Sequence, residues 1–394
     1  MSIDLPFFKD EHRMLREMVA EFSDEVLAPR ARELDESGEF PWENFKAMAE
    51  LGLTGIHIPE EYGGMGMDLT AFAIAMEEVA RGCGSTALTL AAHLSLCCYP
   101  IYRFGTEEQK QKYLPKLCSG EWLGAFGLSE PQAGSDAAAT QTRAVREGDY
   151  YVINGTKMWM TNGGSADVMV ITAKTSDAPG TKGITSFILE KGFAGITHGK
   201  DEDKLGLRAS QTSQIFLENV KVPVENRLGE EGEGFRNFMT TLDSGRVIIG
   251  AMAVGLARAA FERALKYAKE RSAFGRPIAG FDTIRDYLAE MATRIEASQL
   301  LVYHAAYLRD KGEKATKECA MAKYFASENT LWVCHKAIQI HGGYGYTKEY
   351  EVERIYRDAK LCTIGEGTSE IQRLVIGREV IGELPQFAEL EGVA

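Results

Sequence analysis

A stretch of about a hundred residues with strand texture, set between two long helical tracts, constrains this chain more than any other feature. Short β-branched or aromatic runs occur at Tyr151–Ile153, Val168–Ile171, Ser186–Leu189, Ile215–Leu217 and Val220–Val224. Gly, Asn, Asp and Pro clusters separate them at intervals suited to strands and turns. Before this stretch, Leu15, Met18, Val19, Phe22 and Val26 recur at helical spacing, as do Leu69, Phe72, Ala73, Met76 and Val79. EEYGGMGM (60–67) breaks the pattern and reads as a loop. After GEEGEGF (229–235) helical spacing returns, in Phe261, Leu265 and Ala268 and again in Ile284, Leu288 and Met291. Small residues crowd 245–260, where helices can approach closely. A length of 394 residues suits two to three domains. The order helical, β, helical gives three: 1–120, 121–232 and 233–394, an α+β multi-domain chain.

Charge and motif content remove several function classes. Lys and Arg total 44 against 57 Asp and Glu, a net charge of −13. That argues against nucleic-acid binding, which needs clustered cations, but leaves room for a polyanion gripped by a few local Arg or Lys. No run approaches the ~18 uninterrupted apolar residues of a membrane span. MSIDLPFFKDEHRML mixes acids and bases too early for a signal or transit peptide. Seven cysteines without a CxxC pair read as reduced thiols, so a cytoplasmic protein is expected. Adjacent Cys97 and Cys98 read as small core residues rather than a redox pair. GxGxxG and GxxxxGK[ST] are both missing, which disfavours a Rossmann site and a P-loop. The seven histidines show no HExxH spacing, and Cys334–His335 alone is no metal site, so no metal is expected.

Four clusters carry possible chemistry. FGLSEPQAGSD (126–136) offers Ser129 and Ser135, with Gly134 permitting close backbone approach to a flat or phosphorylated ligand. KMWMTNGG (157–164) puts Trp159 and Thr161 on alternate residues, one face of a strand. RSAFGRP (271–277) has Arg271 and Phe274 at i and i+3. The last cluster pairs IQIHGGYG (338–345) with IYRDAKLCTIGEGTSEIQR (355–373). Each alone also has an ordinary structural reading: a turn, a core aromatic, a solvated arginine, a helix-ending glycine stretch. Glu366 could simply cap the helix that TSEIQRLVI begins.

Together and in this order, SEPQAGSD, WMTNGG, RSAFGRPI, QIHGGYGY and YRDAK…EGTSEIQR resemble the acyl-CoA dehydrogenase family of flavoproteins, of the short-chain and branched-chain bacterial type. The resemblance covers almost the whole chain. It implies an N-terminal α-helical domain, a middle β-barrel-like domain and a C-terminal four-helix bundle. FAD would lie extended between the β domain and the C-terminal helices, across a subunit contact of a homotetramer. Phe126, Leu128, Ser129 and Ser135 would contact the flavin or its ribityl–phosphate arm, and Trp159 and Thr161 would wall and hydrogen-bond the isoalloxazine. Arg271 and Phe274, with Gln339, Ile340, Gly342 and Gly343, would reach a neighbouring subunit's FAD, while Thr368 and Glu370 complete the flavin site. For the thioester, the resemblance implies Ser135, Lys182, Asp243, Arg246, Gly367 and, at the adenosine end, Arg378.

Glu366 matches the family's catalytic base. Removing a proton α to a thioester needs a carboxylate in a water-poor pocket, where burial raises its pKa toward the working pH. The implied reaction is α,β-dehydrogenation of a short-chain, branched or cyclic acyl-CoA to the trans-2-enoyl-CoA, the step type of fatty-acid β-oxidation. Electrons would pass to electron-transfer flavoprotein. The chain departs from the family in two places. Gly365 stands where many members carry Tyr before the base, which widens the acyl cavity. FD at 281–282 replaces a common FQ, altering an adenosine-side contact at Asp282. In the isovaleryl and long-chain branches the base comes from the position matching Gly245, which has no side chain to serve. Two rivals remain: an acyl-CoA oxidase-type flavoenzyme of the same fold, and a non-catalytic CoA- or flavin-binding module.

Overall fold

The computed structural model describes residues 3–382; the extremities of the first and last expected domains, 1–2 and 383–394, lie outside the described residues. The N-terminal tract holds α1 (Asp10–Phe22), α2 (Ala28–Ser37), α3 (Trp42–Glu50), α4 (Leu69–Gly82), α5 (Gly84–Ala91), α6 (Tyr99–Phe104) and α7 (Glu107–Cys118). On α1, Leu15, Val19 and Phe22 are buried as their spacing demands. Val26 does not continue that face. A π turn at Ser23–Leu27 adds a residue to the turn, and Leu27 takes the fully buried position instead. In α4 every residue but Arg81 is buried, as expected of a helix apolar nearly all round.

Eight strands follow: β1 (Gly124–Gly127), β2 (Arg143–Glu147), β3 (Tyr150–Thr161), β4 (Val168–Lys174), β5 (Ile184–Glu190), β6 (Ile196–Asp201), β7 (Thr212–Pro223) and β8 (Arg227–Leu228). They pair in the order β6-β7-β3-β2-β4-β5-β8, with β1 running parallel to β4 from Gly124 beside Val168 to Gly127 beside Ile171. Ile153, Leu189, Ile215 and Val220 form the sheet's own core, separate from the helical one. β2 and β6 are rich in charged or exposed residues, so apolar texture alone does not reveal them.

The C-terminal tract contains α8 (Gly234–Glu270), a hairpin of β9 (Ser272–Ala273) and β10 (Arg276–Pro277), α9 (Asp282–Asp310), α10 (Thr316–His341), α11 (Val352–Ala359) and α12 (Ser369–Ile381). The small residues of α8 let it press against α4: a Cβ at Gly255 would stand 2.2 Å from the Glu77 carbonyl oxygen. Across the same contact Arg258 pairs with Glu77 at 2.7 Å and Glu78 at 2.5 Å, and Gln299 on α9 donates to Glu77 at 2.7 Å. One apolar cluster therefore runs from Phe8 through both helical tracts to Cys362. Among the described residues α8 alone is long and apolar enough to cross a membrane, and its most apolar window lies wholly inside the protein. All seven cysteines are buried and free.

Candidate active site

Glu366 lies on the short loop between α11 and α12, and the loop's backbone is unusual. Glu366 has φ +52° and Gly367 φ +92°, two consecutive residues in the left-handed region. For glutamate such a conformation costs on the order of 1–3 kcal/mol and persists only where neighbours hold it. Gln372 Nε2 donates to the carbonyls of Glu366 (3.1 Å) and Gly367 (3.0 Å), and Lys323 Nζ donates to Gly367 at 2.7 Å. Thr368 caps α12 by accepting from the Ile371 N–H.

The carboxylate itself is enclosed. The residue as a whole is half-buried, yet its Oε2 is inaccessible and has no hydrogen-bond partner. Burial pushes the Glu366 carboxyl up to about 7, while Lys323 and Arg246 pull against that rise. Its neighbour is Gly245 of α8: a Cβ there would stand 2.1 Å from Oε2. The backbone N–H of Glu366 has no acceptor among the described residues. Leu96 closes on the same point, 3.3 Å from that Cβ position.

Arg246 is buried rather than spread on the surface. Its guanidinium donates to Asp243 at 2.7 Å, Thr316 holds the other Asp243 oxygen at 2.8 Å, and Arg246 Nε is left without a partner. Phe126 of β1 stacks on Phe238 of α8 with centroids 4.2 Å apart, joining the sheet to this end of the helix. Leu128 and Ser129 are half-buried, and the Ser129 carbonyl accepts from Met158 at 2.8 Å. Ser135, Lys182, Glu370 and Arg378 are exposed.

One local expectation is corrected. Trp159 and Thr161 do not sit on one strand face by simple alternation. A bulge between Lys157 and Met160 interrupts the β3–β7 register, with Trp159 at φ +57°. The bulge turns Trp159 outward, 60% exposed, while Lys157 and Met160 stay buried. Arg271 and Phe274 lie where a helix gives way to a hairpin. Arg271 is the residue after α8, and Phe274 is in the β9–β10 turn with Gly275, at φ +50° and +81°. Positive φ at both central residues suits a two-residue hairpin turn, and it holds Phe274 96% exposed.

Arg271, Ile340, Gly342 and Gly343 do come together, with Tyr267, His341 and Tyr344, around a cavity of about 470 Å³. Gln339 is exposed on the last turn of α10. This cluster is remote from Glu366. Gly245 and Arg271 are 26 residues apart along α8, which at about 1.5 Å per residue separates them by about 39 Å.

Four supporting residues were given no role by the motifs: Lys323, Gln372 and the buried pair Glu130–Lys157. Glu130 lies within SEPQAGSD, and it meets Lys157 at 2.8 Å with both side chains inaccessible. Glu130 also accepts from Thr140, Gln141 N–H and Thr142 N–H, pinning the loop that carries Ser129 and Ser135. Burial opposes its charge, but the Lys157 ammonium holds its carboxyl below the usual range.

Comparison with known proteins finds matches along most of the chain. Family models match in sequence order: the acyl-CoA dehydrogenase N-terminal domain over residues 9–121, the middle domain over 125–220 and the C-terminal domain over 232–381. The chain belongs to the acyl-CoA dehydrogenase family. It is 50% identical over 370 residues to a short-chain specific acyl-CoA dehydrogenase of Clostridium acetobutylicum, covering 94% of this chain and 98% of that one. It is 47% identical over 371 residues to a subunit of a caffeyl-CoA reductase–Etf complex of Acetobacterium woodii, with the same two coverages, 94% and 98%. The butyryl-CoA dehydrogenase structure from Megasphaera elsdenii superposes with a TM-score of 0.94 at 44% identity, covering 97% of this chain and 100% of that one. As an acyl-CoA dehydrogenase, the chain is an oxidoreductase whose cofactor is FAD. The residues present fit that cofactor. Trp159 offers an open aromatic face, and Cβ positions at Gly342 and Gly343 meet nothing within 4 Å beside the Arg271 cation.

Proposed function

We propose that this acyl-CoA dehydrogenase removes the α-proton of a short-chain, branched or cyclic acyl-CoA with Glu366, giving the trans-2-enoyl-CoA. The observation that carries the reading is the Glu366 carboxylate: enclosed, unpartnered at Oε2, and raised by burial to about 7. A base whose pKa lies near the working pH combines a usable ionised fraction with driving force for proton transfer. The free Glu366 N–H is a donor for the thioester carbonyl, where negative charge grows as the proton leaves. Bound FAD supplies the acceptor for the β-hydrogen, which departs with its electron pair as the double bond forms.

Phe126, Leu128, Ser129, Ser135, Trp159, Thr161, Thr368 and Glu370 are the proposed contacts to one FAD. Arg271, Phe274, Gln339, Ile340, Gly342 and Gly343 are assigned to the FAD of a neighbouring copy in a homotetramer. The span of about 39 Å along α8 supports that division, since one extended dinucleotide does not reach both clusters. Ser135, Lys182, Asp243, Arg246, Gly367 and Arg378 are proposed for the CoA thioester, with Arg246 Nε as the donor that Asp243 leaves over. Gly365 leaves room beside the base for branched or cyclic acyl groups. Electron-transfer flavoprotein is the proposed acceptor, and the expected compartment is the cytoplasm.

The test is Glu366→Gln. Amide and carboxylate are nearly isosteric, so the variant should keep its FAD and bind butyryl-CoA. Its anaerobic flavin bleaching should slow by a factor of about 100–10,000, the usual worth of a general base. Bleaching at close to the wild-type rate would remove Glu366 from this role. Peroxide formation matching wild-type turnover would point to an oxidase instead.

A further inference from the structure

We propose that Lys323 is a positioning residue for Glu366: from α10 its ammonium clamps the loop carrying the base and keeps a positive charge behind the carboxylate. The inference rests on the reading of Glu366 as the base.

A lysine inside a helical bundle requires an explanation. The Lys323 side chain is fully buried, and among the described residues its polar contact is a backbone carbonyl rather than a carboxylate. Its ammonium donates at 2.7 Å to the carbonyl of Gly367, the residue after the base. An isolated buried ammonium is costly unless other groups depend on it or compensate it. Here the loop depends on it. Glu366 and Gly367 are both left-handed, and three side-chain donations to their two carbonyls, one from Lys323 and two from Gln372, hold that conformation. Without the lysine, Gln372 alone faces a strained backbone.

The charged neighbourhood explains why an ammonium is used rather than a neutral donor. Arg246 faces Glu366 from α8, but Asp243 takes its charge at 2.7 Å, and Thr316 fixes Asp243 in turn. From α10, Glu328 is engaged by Ser369 Oγ at 2.5 Å, and from the turn before the loop the Cys362 thiol lies near Lys323. The strand of contact from the N-terminal helices, at Leu96, brings no charge. Lys323 is thus a cation bonded to a carbonyl rather than a carboxylate that acts on Glu366, and burial draws its own pKa down to about 8.

The experiment compares holoenzymes carrying Lys323→Met, Lys323→Arg, Glu366→Gln and the double Lys323→Met/Glu366→Gln. Anaerobic flavin bleaching by butyryl-CoA is followed from pH 6 to 9, and the Glu366 carboxyl is titrated by difference infrared spectroscopy against Glu366→Gln. In Lys323→Met the carboxyl titration and the acid limb of the rate profile should both move up by about one pH unit, the lower end of the effect of a nearby opposite charge. The rate should fall about fivefold at pH 7 and recover almost fully by pH 9, with KM for butyryl-CoA little changed. Lys323→Arg should restore most of the position of both curves. Adding Lys323→Met to Glu366→Gln should cost nothing further, because the lysine acts through the base.

An unmoved titration in Lys323→Met, or an equal loss at every pH that Lys323→Arg does not rescue, overturns the proposal. If Lys323→Met fails to fold, Lys323→Arg alone decides: a wild-type profile supports the clamp, and a collapsed rate with an unmoved carboxyl titration rejects it. Failure of the base reading is separate and shows as wild-type bleaching in Glu366→Gln.

Discussion

Gly245 and Glu366 compete for one small volume, since any side chain at Gly245 would enter the space of Oε2. That single overlap explains why a carboxylate from one position excludes a side chain at the other. Gly365, next to Glu366, behaves differently. The nearest atoms to a Cβ there belong to Leu361, at 3.6–3.8 Å, an ordinary contact, and its backbone is not left-handed. A larger residue is therefore tolerated by the fold. Gly365→Tyr should leave FAD content and thermal stability near wild type while lowering turnover of branched and cyclic acyl-CoAs more than of butyryl-CoA. Overpacking by a ring costs about 1–3 kcal/mol, so a difference of tenfold or more in kcat/KM between the two substrate groups is expected. A panel of acyl-CoAs measures it, and equal losses throughout would mean position 365 does not shape the acyl space.

Helix α11 is docked by a carboxyl that the reaction does not use. Asp358 is fully buried, accepts the Leu207 N–H at 2.5 Å, and ties the helix to the loop before β7. Burial raises its carboxyl from 3.8 to about 7, with the Leu207 N–H and Arg354 opposing. The folded state therefore holds a proton that the unfolded chain has released between those two values. Stability falls as pH rises through that window and levels off above it. The effect of this one group is at most about 4 kcal/mol at 1.36 kcal/mol per unit. Asp358→Asn keeps an acceptor for Leu207 but cannot ionise. It should flatten the stability profile between pH 4 and 7, and denaturant titrations at several pH values would show whether it does.

At the scale of the whole molecule, Arg271 and Phe274 make little sense in one copy of the chain. Phe274 is 96% exposed at a hairpin tip, and Arg271 lies over Tyr344 at 5.5 Å beside the cavity at the end of α10. A second copy supplying FAD to that cavity gives both a purpose. Arg271→Ala should then weaken cofactor retention and assembly together, because a charged contact to phosphate is among the stronger hydrogen bonds. Gel filtration at falling protein concentration, with the flavin-to-protein ratio read in each peak, tests the coupling. A variant that dissociates with full flavin, or loses flavin without dissociating, would separate the two.

The sequence by itself determined the order of helical and strand tracts, but not every strand, since β2 and β6 carry no apolar alternation. Apolar spacing is a local property, and Leu15, Val19 and the residues of α4 are buried where that spacing requires. The motif strings likewise carried the family and pointed to Glu366 as the proposed base, because the chemistry demands particular side chains. Local rules failed where geometry depends on neighbours distant in sequence. Val26 lost its inward position to a π turn, and Trp159 left its strand face through a bulge. Tertiary structure alone decided what surrounds Glu366. Lys323 is 43 residues and Gly245 is 121 residues from Glu366 along the chain, and no periodicity links them. Only the packing of α8 and α10 against one loop brings a glycine, a buried cation and a strained carboxylate together, and the proton affinity of that carboxylate follows from its burial among them.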